Sequence, residues 1–405
     1  MRSDSNAANL KRVQGWILDL YPSSFGQMTV WIITKGGKRI RLVDEFTPKV
    51  YISGNKVDLE RLFTHLFTSK VVTSFDFVRK YASPIDIDKS EVLEVTLKDC
   101  RSVPSFTQRI LDTGRYLRYQ VHNCDLDSTQ AYLYTRDIFP LAYVEIDVAK
   151  HRVQYHLLDA VENVDYQVPP LRIMSVHVDI AKSGKIAKFD DPLEKITISQ
   201  DGEQIPIDLN DEREQLLTFV EVVRQRDPDF LLTRGGDAHM FPYLAHRALS
   251  NNILRRLVLS RENIPLVAKQ SRGTTFFSYG RTYYRAPMRR LYGRVHIDER
   301  NTFILRECGL EGLFEIARTC RVPLHRASRS SIGSSMSSLQ FCQAVHDDVL
   351  IPRNKQIPEA FKSAYELLVS DRGGFVYEPK MGIHDHVGEV DFSSMYPSLM
   401  ARYNI

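Results

Sequence analysis

The 405-residue chain has little of several features that would define other classes of protein. Its five cysteines are scattered and never form a C-x-x-C pair, which argues against a disulfide framework or a zinc ribbon. It has no run of about 18 uncharged apolar residues, so we expect no membrane span. The N-terminus lacks the apolar core of a secretory signal, and the net charge is only +4. The composition therefore indicates a multidomain protein of the cytoplasm, and it permits a nucleic-acid partner without requiring one.

Patterns of apolar residues predict strands first and an alternation of strands and helices later. The strand patterns lie at 16–21, 28–34, 49–53, 139–147, 151–158, 171–180 and 230–232. The helical patterns lie at 58–68, 105–111, 214–224, 240–250, 309–318 and 358–370. The fold class is therefore mixed α/β, with several domains.

Two composition breaks divide the chain. The pair Pro169 and Pro170 ends the β-rich region and precedes the alternating α/β region. A serine-rich stretch, 328–338, follows that region and is either a flexible linker or a loop that contacts a DNA backbone. A short connector and the start of a last domain come after it. We place the boundaries at 1–168, 169–325, 326–355 and 356–405.

The C-terminal end of the chain holds the most informative pattern. An apolar strand, 387–390, is predicted to end in Asp391, and a turn through Ser393 and Ser394 leads to a helix near Pro397. A carboxylate in this position binds hard cations, while the free N–H groups of a helix start favour phosphates. Two magnesium ions about 3.5–4 Å apart would stabilise the attacking and leaving oxygens of a phosphoryl transfer. The alternative is an aspartate that only caps the next helix.

The string that begins at Asp391, D-F-S-S-M-Y-P-S, resembles motif A of family B DNA polymerases, usually written D-F-x-S-L-Y-P-S. Met395 in place of Leu is the one departure within it. The resemblance implies that Asp391 and the Phe392 carbonyl bind two Mg²⁺ ions, and that the backbone of 393–396 holds a deoxynucleoside triphosphate. Tyr396 would then be the steric gate that excludes a ribose 2′-OH.

The resemblance extends over nearly the whole chain. The segment 373–379 matches the family's GG-x-V…EP approach to the palm, and 404–405 matches its usual continuation. The segments 46–51 and 132–143 are similar to the family's N-terminal domain. In archaeal members this domain senses uracil in the template, but Lys49 stands where an aromatic residue is common, so we do not predict uracil sensing.

Family B members usually carry a 3′–5′ exonuclease domain, related to RNase H, in which four carboxylates hold two metal ions. Here His177 stands at the Asp position of the family's D-x-E strand, and Asp179 stands at the Glu position. Met240 stands at the metal-binding Asp of the second segment, and Asp237, three residues earlier, could reach in. Magnesium prefers oxygen ligands, so an imidazole or a thioether is a poor substitute. The chain most resembles an archaeal branch with a degenerate exonuclease.

The remaining candidate ligands are weaker. The family's third exonuclease pattern, a Y-x-x-x-D helix, has Phe303 and Glu307 as its best match. His296 and Asp298 fall on one face of a predicted strand and could suggest a metal site. We interpret these two as an ordinary polar strand face.

The pattern of the family's remaining palm and fingers is not found in this sequence. Only 14 residues follow Asp391 (405 − 391), and neither a D-T-D turn nor a fingers helix pattern is present. We therefore expect that this chain alone does not polymerise, and that fingers, remaining palm and thumb come from the same chain or from a second subunit. Expected partners are primer–template DNA and deoxynucleoside triphosphates, in the nucleoid. The alternatives are a non-catalytic DNA-binding or scaffold subunit and a nuclease that uses Asp179, Asp237 and Glu307.

Overall fold

The structure is a computed structural model, and its described residues fall into two compact units, Met1–Arg353 and Asn354–Ile405. The described residues are 11–23, 26–114, 118–149, 152–266, 273–278, 280–353, 361–370 and 377–404. Within these ranges, no helix is both long enough and apolar enough to cross a membrane.

The described residues form strands and helices with the following bounds. The strands are β1 Lys11–Pro22, β2 Gln27–Thr34, β3 Arg39–Glu45, β4 Lys49–Ser53, β5 Val72–Lys80, β6 Ser90–Leu97, β7 Gln120–His122, β8 Tyr143–Ala149, β9 Arg152–Leu157, β10 Ile173–Ile180, β11 Leu193–Gln200, β12 Glu203–Ile207, β13 Phe230–Thr233, β14 Thr274–Ser278, β15 Arg281–Arg285 and β16 Val295–Asp298. The helices are α1 Lys56–Leu66, α2 Val103–Gly114, α3 Ser128–Arg136, α4 Glu212–Arg226, α5 Phe241–Ser250, α6 Leu305–Thr319, α7 Leu324–Ala327, α8 Ile332–His346, α9 Ala364–Ser370 and α10 Met395–Tyr403.

The first sheet is antiparallel and has the strand order β3-β2-β1-β8-β9. Alternate apolar residues of these strands pack against α3 and α8, so that Tyr132 and Cys342 share one core with the sheet. The buried carboxylate of Asp44 accepts hydrogen bonds from Tyr132 Oη at 2.9 Å and from Arg136 at 2.7 Å. A buried charge of this kind is tolerated because it is paired and hydrogen-bonded.

The second sheet is antiparallel, with the order β5-β6-β4-β7, and it packs against α1 and α2. Leucines at helical spacing, Leu59, Leu62 and Leu66, turn one side of α1 toward the sheet. Asn55 starts this helix, because its side chain accepts a hydrogen bond from the Asp58 N–H at 2.9 Å.

The third sheet is mixed and positions the candidate sites of the first unit. Its order is β12-β11-β10-β13-β16, and β13 runs parallel to both of its neighbours. Leu216 of α4 and Leu244 of α5 are buried against one face, and Phe314 of α6 contacts Phe230 on the other. The carboxyl ends of β10, β13 and β16 therefore meet at one edge of the sheet. A hairpin, β14 and β15, extends from this region.

The structure confirms most predicted elements and the mixed α/β class, but it corrects three segments. The serine-rich stretch 328–338 is neither a linker nor a loop, since it enters α8. Of the predicted helix 358–370, only Ala364–Ser370 is helical within the described part, which begins at 361. The residues 387–391 form no strand, and residues 377–404 contain no other strand that could pair with them. Gly373, Gly374 and the two residues after them lie outside the described residues, as do His151 and Ile405.

The helix α8 forms because its serines find partners. Ser331 caps it, accepting a hydrogen bond from the Ser334 N–H at 3.3 Å. Ser338 is buried, with its Oγ accepting from Gln130 Nε2 at 2.9 Å and its carbonyl accepting from Tyr134 Oη at 3.1 Å. These contacts with α3 outweigh the modest helix propensity of serine.

Candidate functional site

Asp391 lies exposed on the surface of the second unit. Its Oδ1 accepts a hydrogen bond from the N–H of Phe392 at 2.8 Å. The chain then passes through Ser394, in the left-handed conformation (φ 47°), and begins α10 at the next residue. Pro397 lies in the first turn of that helix, where its missing N–H leaves no bond unmade. The side chain of Ser398 donates a hydrogen bond to the Ser393 carbonyl at 3.2 Å, which closes the turn.

This geometry excludes the capping alternative for Asp391. The residue that starts α10 is Ser394, and its side chain makes no capping hydrogen bond. Among the described residues, the Asp391 carboxylate accepts a hydrogen bond only from the adjacent N–H. The N–H groups of Met395 and Tyr396, at the start of α10, point out of the helix end. An exposed carboxylate followed by such groups can bind a cation and a phosphate together.

The described residues contain no group of three or more His, Cys, Asp or Glu side chains that could hold a metal ion. Magnesium in proteins is often bound by one or two carboxylates together with substrate phosphates and water. Asp391 therefore fits as one ligand of a magnesium site but does not form such a site alone.

The structure places His177 and Asp179 side by side on β10. His177 Nε2 lies 3.1 Å from Asp179 Oδ1, and the two side chains are 67% and 43% exposed. They project from the same face because they are two residues apart on a strand. This pair provides one carboxylate, with one of its oxygens already in contact with an imidazole. A pair of dications would need more oxygen ligands than this edge supplies.

Asp237 is fully buried, and both of its carboxylate oxygens accept hydrogen bonds. Oδ1 accepts from the Arg289 N–H at 2.7 Å, and Oδ2 accepts from Asn301 Nδ2 at 2.8 Å and from Arg329 Nε at 2.6 Å. Burial alone would raise the pKa of Asp237, but the charge of Arg329, with His296 and Asn301, outweighs it and holds the pKa below its usual value. Asp237 is therefore an ionised partner of Arg329, with no oxygen left for a metal ion.

The polar strand face predicted at β16 is buried rather than solvated. Asp298 Oδ1 accepts from the Gly235 N–H at 2.7 Å, and Oδ2 accepts from the Asp237 N–H at 2.9 Å. These bonds fix the single π-helical turn, Gly236–Met240, that precedes α5. His296 lies against the same turn, and burial followed by the charge of Arg329 lowers its pKa. The two residues thus hold the backbone in place and do not face solvent.

The three remaining exonuclease candidates do not join Asp179. Met240 is 8% exposed and belongs to the core under α4 and α5. Phe303 is 40% exposed and contacts the guanidinium of Arg285, 5.3 Å from its ring centre. Glu307 is exposed on α6. The residues present at this edge therefore do not fit the four-carboxylate site of a magnesium-dependent nuclease.

Arg329 is the residue that sequence reasoning missed. It lies 92 residues after Asp237, is 5% exposed, and also donates to the carbonyls of His296 and His325 at 3.0 and 2.9 Å. Its only local signal was its position in a basic, serine-rich segment, which is also typical of a loop. No local pattern connects it to Asp237.

The chain is similar to archaeal DNA polymerases, although no protein-family model matches it. A DNA polymerase of Archaeoglobus fulgidus is 22% identical over an alignment of 441 positions, which covers 98% of this chain and 54% of that protein. DNA polymerase 1 of Aeropyrum pernix is 21% identical and covers 96% of this chain and 49% of its own length. The structure of the family B DNA polymerase from Pyrobaculum calidifontis superposes with a TM-score of 0.72 at 20% identity, over 97% of this chain and 57% of that one.

The two sequence alignments cover nearly all of this chain, including residues of all three sheets and of the second unit. The chain spans about half the length of these two relatives. The chain is therefore homologous over nearly its whole length to archaeal DNA polymerases, and its fold is that of the N-terminal region of a family B enzyme.

Proposed function

We propose that this chain is the N-terminal part of a template-directed family B DNA polymerase, which adds deoxynucleotides to a primer 3′-OH and releases pyrophosphate. The observation that carries the proposal is the position of Asp391. It is exposed before a helix whose first N–H groups have no side-chain cap, and it lies in a chain homologous to archaeal DNA polymerases. A buried Asp391, or one used only as a cap, would have contradicted the proposal.

Each residue of this segment has a proposed part. Asp391, with the Phe392 carbonyl, contributes ligands to two magnesium ions, whose charge would stabilise the transferring phosphoryl group when the remaining palm carboxylate is present. The backbone of Ser393 to Tyr396 holds the triphosphate, aided by the start of α10. The ring of Tyr396, exposed here, closes the space where a ribose 2′-OH would lie.

We further propose that the region 169–325 is an RNase H-like, exonuclease-type domain without proofreading activity. The Asp237–Arg329 ion pair, the buried Met240 and the imidazole of His177 support this, because together they leave Asp179 as the one accessible carboxylate of the first two exonuclease segments. The region 1–168 would contact DNA, 326–355 would join it to the exonuclease-type domain, and 356–405 would begin the palm. A nuclease that uses Asp237 is disfavoured, since that side chain is buried and fully paired.

The polymerase proposal is tested in the complete enzyme, with the fingers, remaining palm and thumb present. We expect Asp391→Ala to abolish primer extension and Tyr396→Ala to admit ribonucleotides, both measured by incorporation on a labelled primer–template. Glu389→Ala is the matched control, because this carboxylate is also exposed and only two residues away. Extension that survives Asp391→Ala would contradict the proposal.

The second candidate is a non-catalytic DNA-binding or scaffold subunit, favoured by the lone carboxylate at Asp391. The two candidates differ in the complete complex rather than in the isolated chain. A complex that extends primers equally well with and without the Asp391→Ala substitution would assign the scaffold role to this chain. Incubation of the chain with labelled single-stranded DNA and Mg²⁺ or Mn²⁺ tests the exonuclease separately, and we expect no shortening beyond that of an Asp179→Ala variant.

A further inference from the structure

A cavity of about 570 Å³ opens at the carboxyl ends of β13 and β16, and arginines dominate its polar lining. Arg234 directly follows β13, Arg300 lies two residues after the end of β16, and Arg306 lies in the first turn of α6. Glu299 is the single acidic residue of the lining, and three leucines form the apolar part. The volume is within the range of about 300–1,000 Å³ that is usual for ligand sites.

Within the described residues, no ion pair neutralises the charges of these arginines. Arg234, Arg300 and Arg306 are exposed, and in the described ranges no carboxylate oxygen lies within the 4.0 Å of an ion pair to any of their guanidinium groups. Arg306 Nε donates instead to the backbone carbonyl of Glu299 at 3.3 Å. Arg300 passes close to Gly235, the residue after Arg234, since a Cβ added at Gly235 would lie 3.9 Å from the Arg300 guanidinium. Like charges gathered in this way attract an anion.

Two other arginines of the same domain are paired with carboxylates. Arg224 contacts Glu221 at 2.8 Å, and Arg247 contacts Glu212 at 2.6 Å. Arginines of this domain thus occur both with and without an ion pair, and the cavity brings three of the latter together among the described residues.

The cavity lies on the face of the sheet that carries His177 and Asp179. Leu232, one of its lining residues, pairs in register with Ser175 of the parallel strand β10. Side chains two residues apart share a face, so Ser175, His177 and Asp179 project to the same side as Leu232. The edge that retains one accessible candidate carboxylate thus carries guanidinium groups beside it.

A bend in α6 keeps the cavity open. The helix is interrupted at Gly309, which has a φ of 63° and lines the cavity. No atom lies within 4 Å of the position that a Cβ would occupy there. Because Gly309 has no side chain, the cavity wall there consists of backbone atoms alone, which leaves space for a ligand.

We propose that this arginine-lined cavity binds the phosphodiester backbone of single-stranded DNA without a metal ion. Guanidinium groups suit this ligand, because their planar donors match two phosphate oxygens at once and carry a permanent charge. The leucine wall, including Leu232, would contact sugar or base. The inference rests on the proposed polymerase function, which would bring single-stranded DNA to this domain, and it gives the exonuclease-type domain a role in holding a strand that it does not cut.

The test is a binding titration of the 405-residue chain with a 5′-labelled oligothymidylate of about 12 nucleotides, a length within the site sizes usual for single-strand binding, followed by fluorescence anisotropy. We expect the double variant Arg234→Gln/Arg300→Gln to bind about tenfold or more weakly at low salt. The slope of log K against log salt should fall by about 1.4, since each lost phosphate contact on a single strand accounts for about 0.7. Chelation of divalent cations should change neither protein's affinity.

Two further variants control the experiment. Arg213→Gln/Arg256→Gln removes two exposed arginines of the same domain outside the cavity and should bind as the unchanged chain does. Arg234→Lys/Arg300→Lys keeps the charge and should retain most of the salt slope, which separates a lost contact from a misfolded domain. Thermal melting followed by circular dichroism checks folding for each variant.

Equal affinities for the unchanged chain and the Arg234→Gln/Arg300→Gln variant would overturn the proposal, as would binding that requires a divalent cation. Inorganic phosphate is the competing probe. If millimolar phosphate saturates the cavity and the oligothymidylate does not displace it, the site takes small phosphates and the strand-binding proposal is wrong. A complex that fails to extend primers while the arginine-dependent binding persists would contradict the polymerase function alone.

Discussion

Asp237 and Asp391 are both aspartates that the sequence offered as metal ligands, and the structure gives them opposite surroundings. Asp237 is buried with three hydrogen-bond donors on its carboxylate, one of them the charged Arg329. Asp391 is exposed, and within the described part of the chain its carboxylate accepts a hydrogen bond only from the adjacent N–H. A carboxylate serves a metal ion only where its oxygens are left accessible, so the difference assigns Asp237 to stability and leaves Asp391 available for chemistry.

The largest expected effect lies at the buried pair. Asp237→Ala or Arg329→Ala should lower the free energy of unfolding of the chain by about 3–5 kcal/mol, because either one leaves an unpaired buried charge. Urea denaturation followed by circular dichroism measures this change. Glu221→Ala, which breaks the exposed pair with Arg224, should cost less than about 1 kcal/mol.

A double variant sharpens this result. Asp237→Leu/Arg329→Met removes both charges together, so it should recover much of the stability that either single substitution removes. A cost below about 1 kcal/mol for both single variants would mean that the pair is not a structural element, and the contrast with Asp391 would fail.

Acidification gives the next largest effect, through His296 beside Asp237. Burial and the charge of Arg329 lower the pKa of His296 in the folded state, so the unfolded chain takes up a proton on this residue at a higher pH than the folded chain does. Stability is therefore lost as the pH falls below about 6.5, over an interval that ends at the lower pKa of the folded state. The titration of His296 should lower the free energy of unfolding by on the order of 2 kcal/mol between about pH 7 and about pH 5.

The measurement is the free energy of unfolding at about pH 7 and about pH 5, on either side of the ordinary pKa of histidine. His296→Gln should reduce the difference between the two values, whereas His156→Gln, which replaces an exposed histidine, should leave it unchanged. Parallel pH dependences for the His296→Gln variant and the unchanged chain would show that this ring does not carry the effect.

The smallest effect is expected at Asp391. Asp391→Asn should change the free energy of unfolding of the chain by less than about 0.5 kcal/mol, because the side chain is exposed and has no partner but the next N–H. Thermal melting measures it. A loss of several kcal/mol would place Asp391 among the structural residues and remove the distinction between the two aspartates.

Local patterns were sufficient for most elements of the fold. Lys49–Ser53 is a strand with the predicted bounds, and α4 extends the predicted helix by two residues at each end. The pattern failed at α8, where partners on α3 stabilise serines that suggest a loop when taken alone. It also failed at 387–391, where an apolar run met no partner strand within the described part of its unit.

The candidate sites also differ in how far local sequence patterns could predict them. Asp391 belongs to a pattern that is contiguous in sequence, so its exposure at the start of a helix could be expected from neighbouring residues alone, while its role stays a prediction. The burial and pairing of Asp237, by contrast, depend on Arg329, 92 residues away. The arginine-lined cavity likewise combines residues that follow two different strands with residues at the start of a helix. Such sets are assembled by strand order, which a linear pattern does not contain.

The packing of α8 on the first sheet has a consequence for synthesis on the ribosome. The last strand of that sheet is complete at Leu157, but the core that it covers also contains Cys342, so 185 further residues (342 − 157) must be translated before the core can close. At about 5–20 residues per second this is a delay of roughly 9–37 s. During that interval α3 can cover its part of the sheet, but the part of the apolar face that α8 covers stays exposed, where we expect ribosome-associated chaperones to bind the nascent chain.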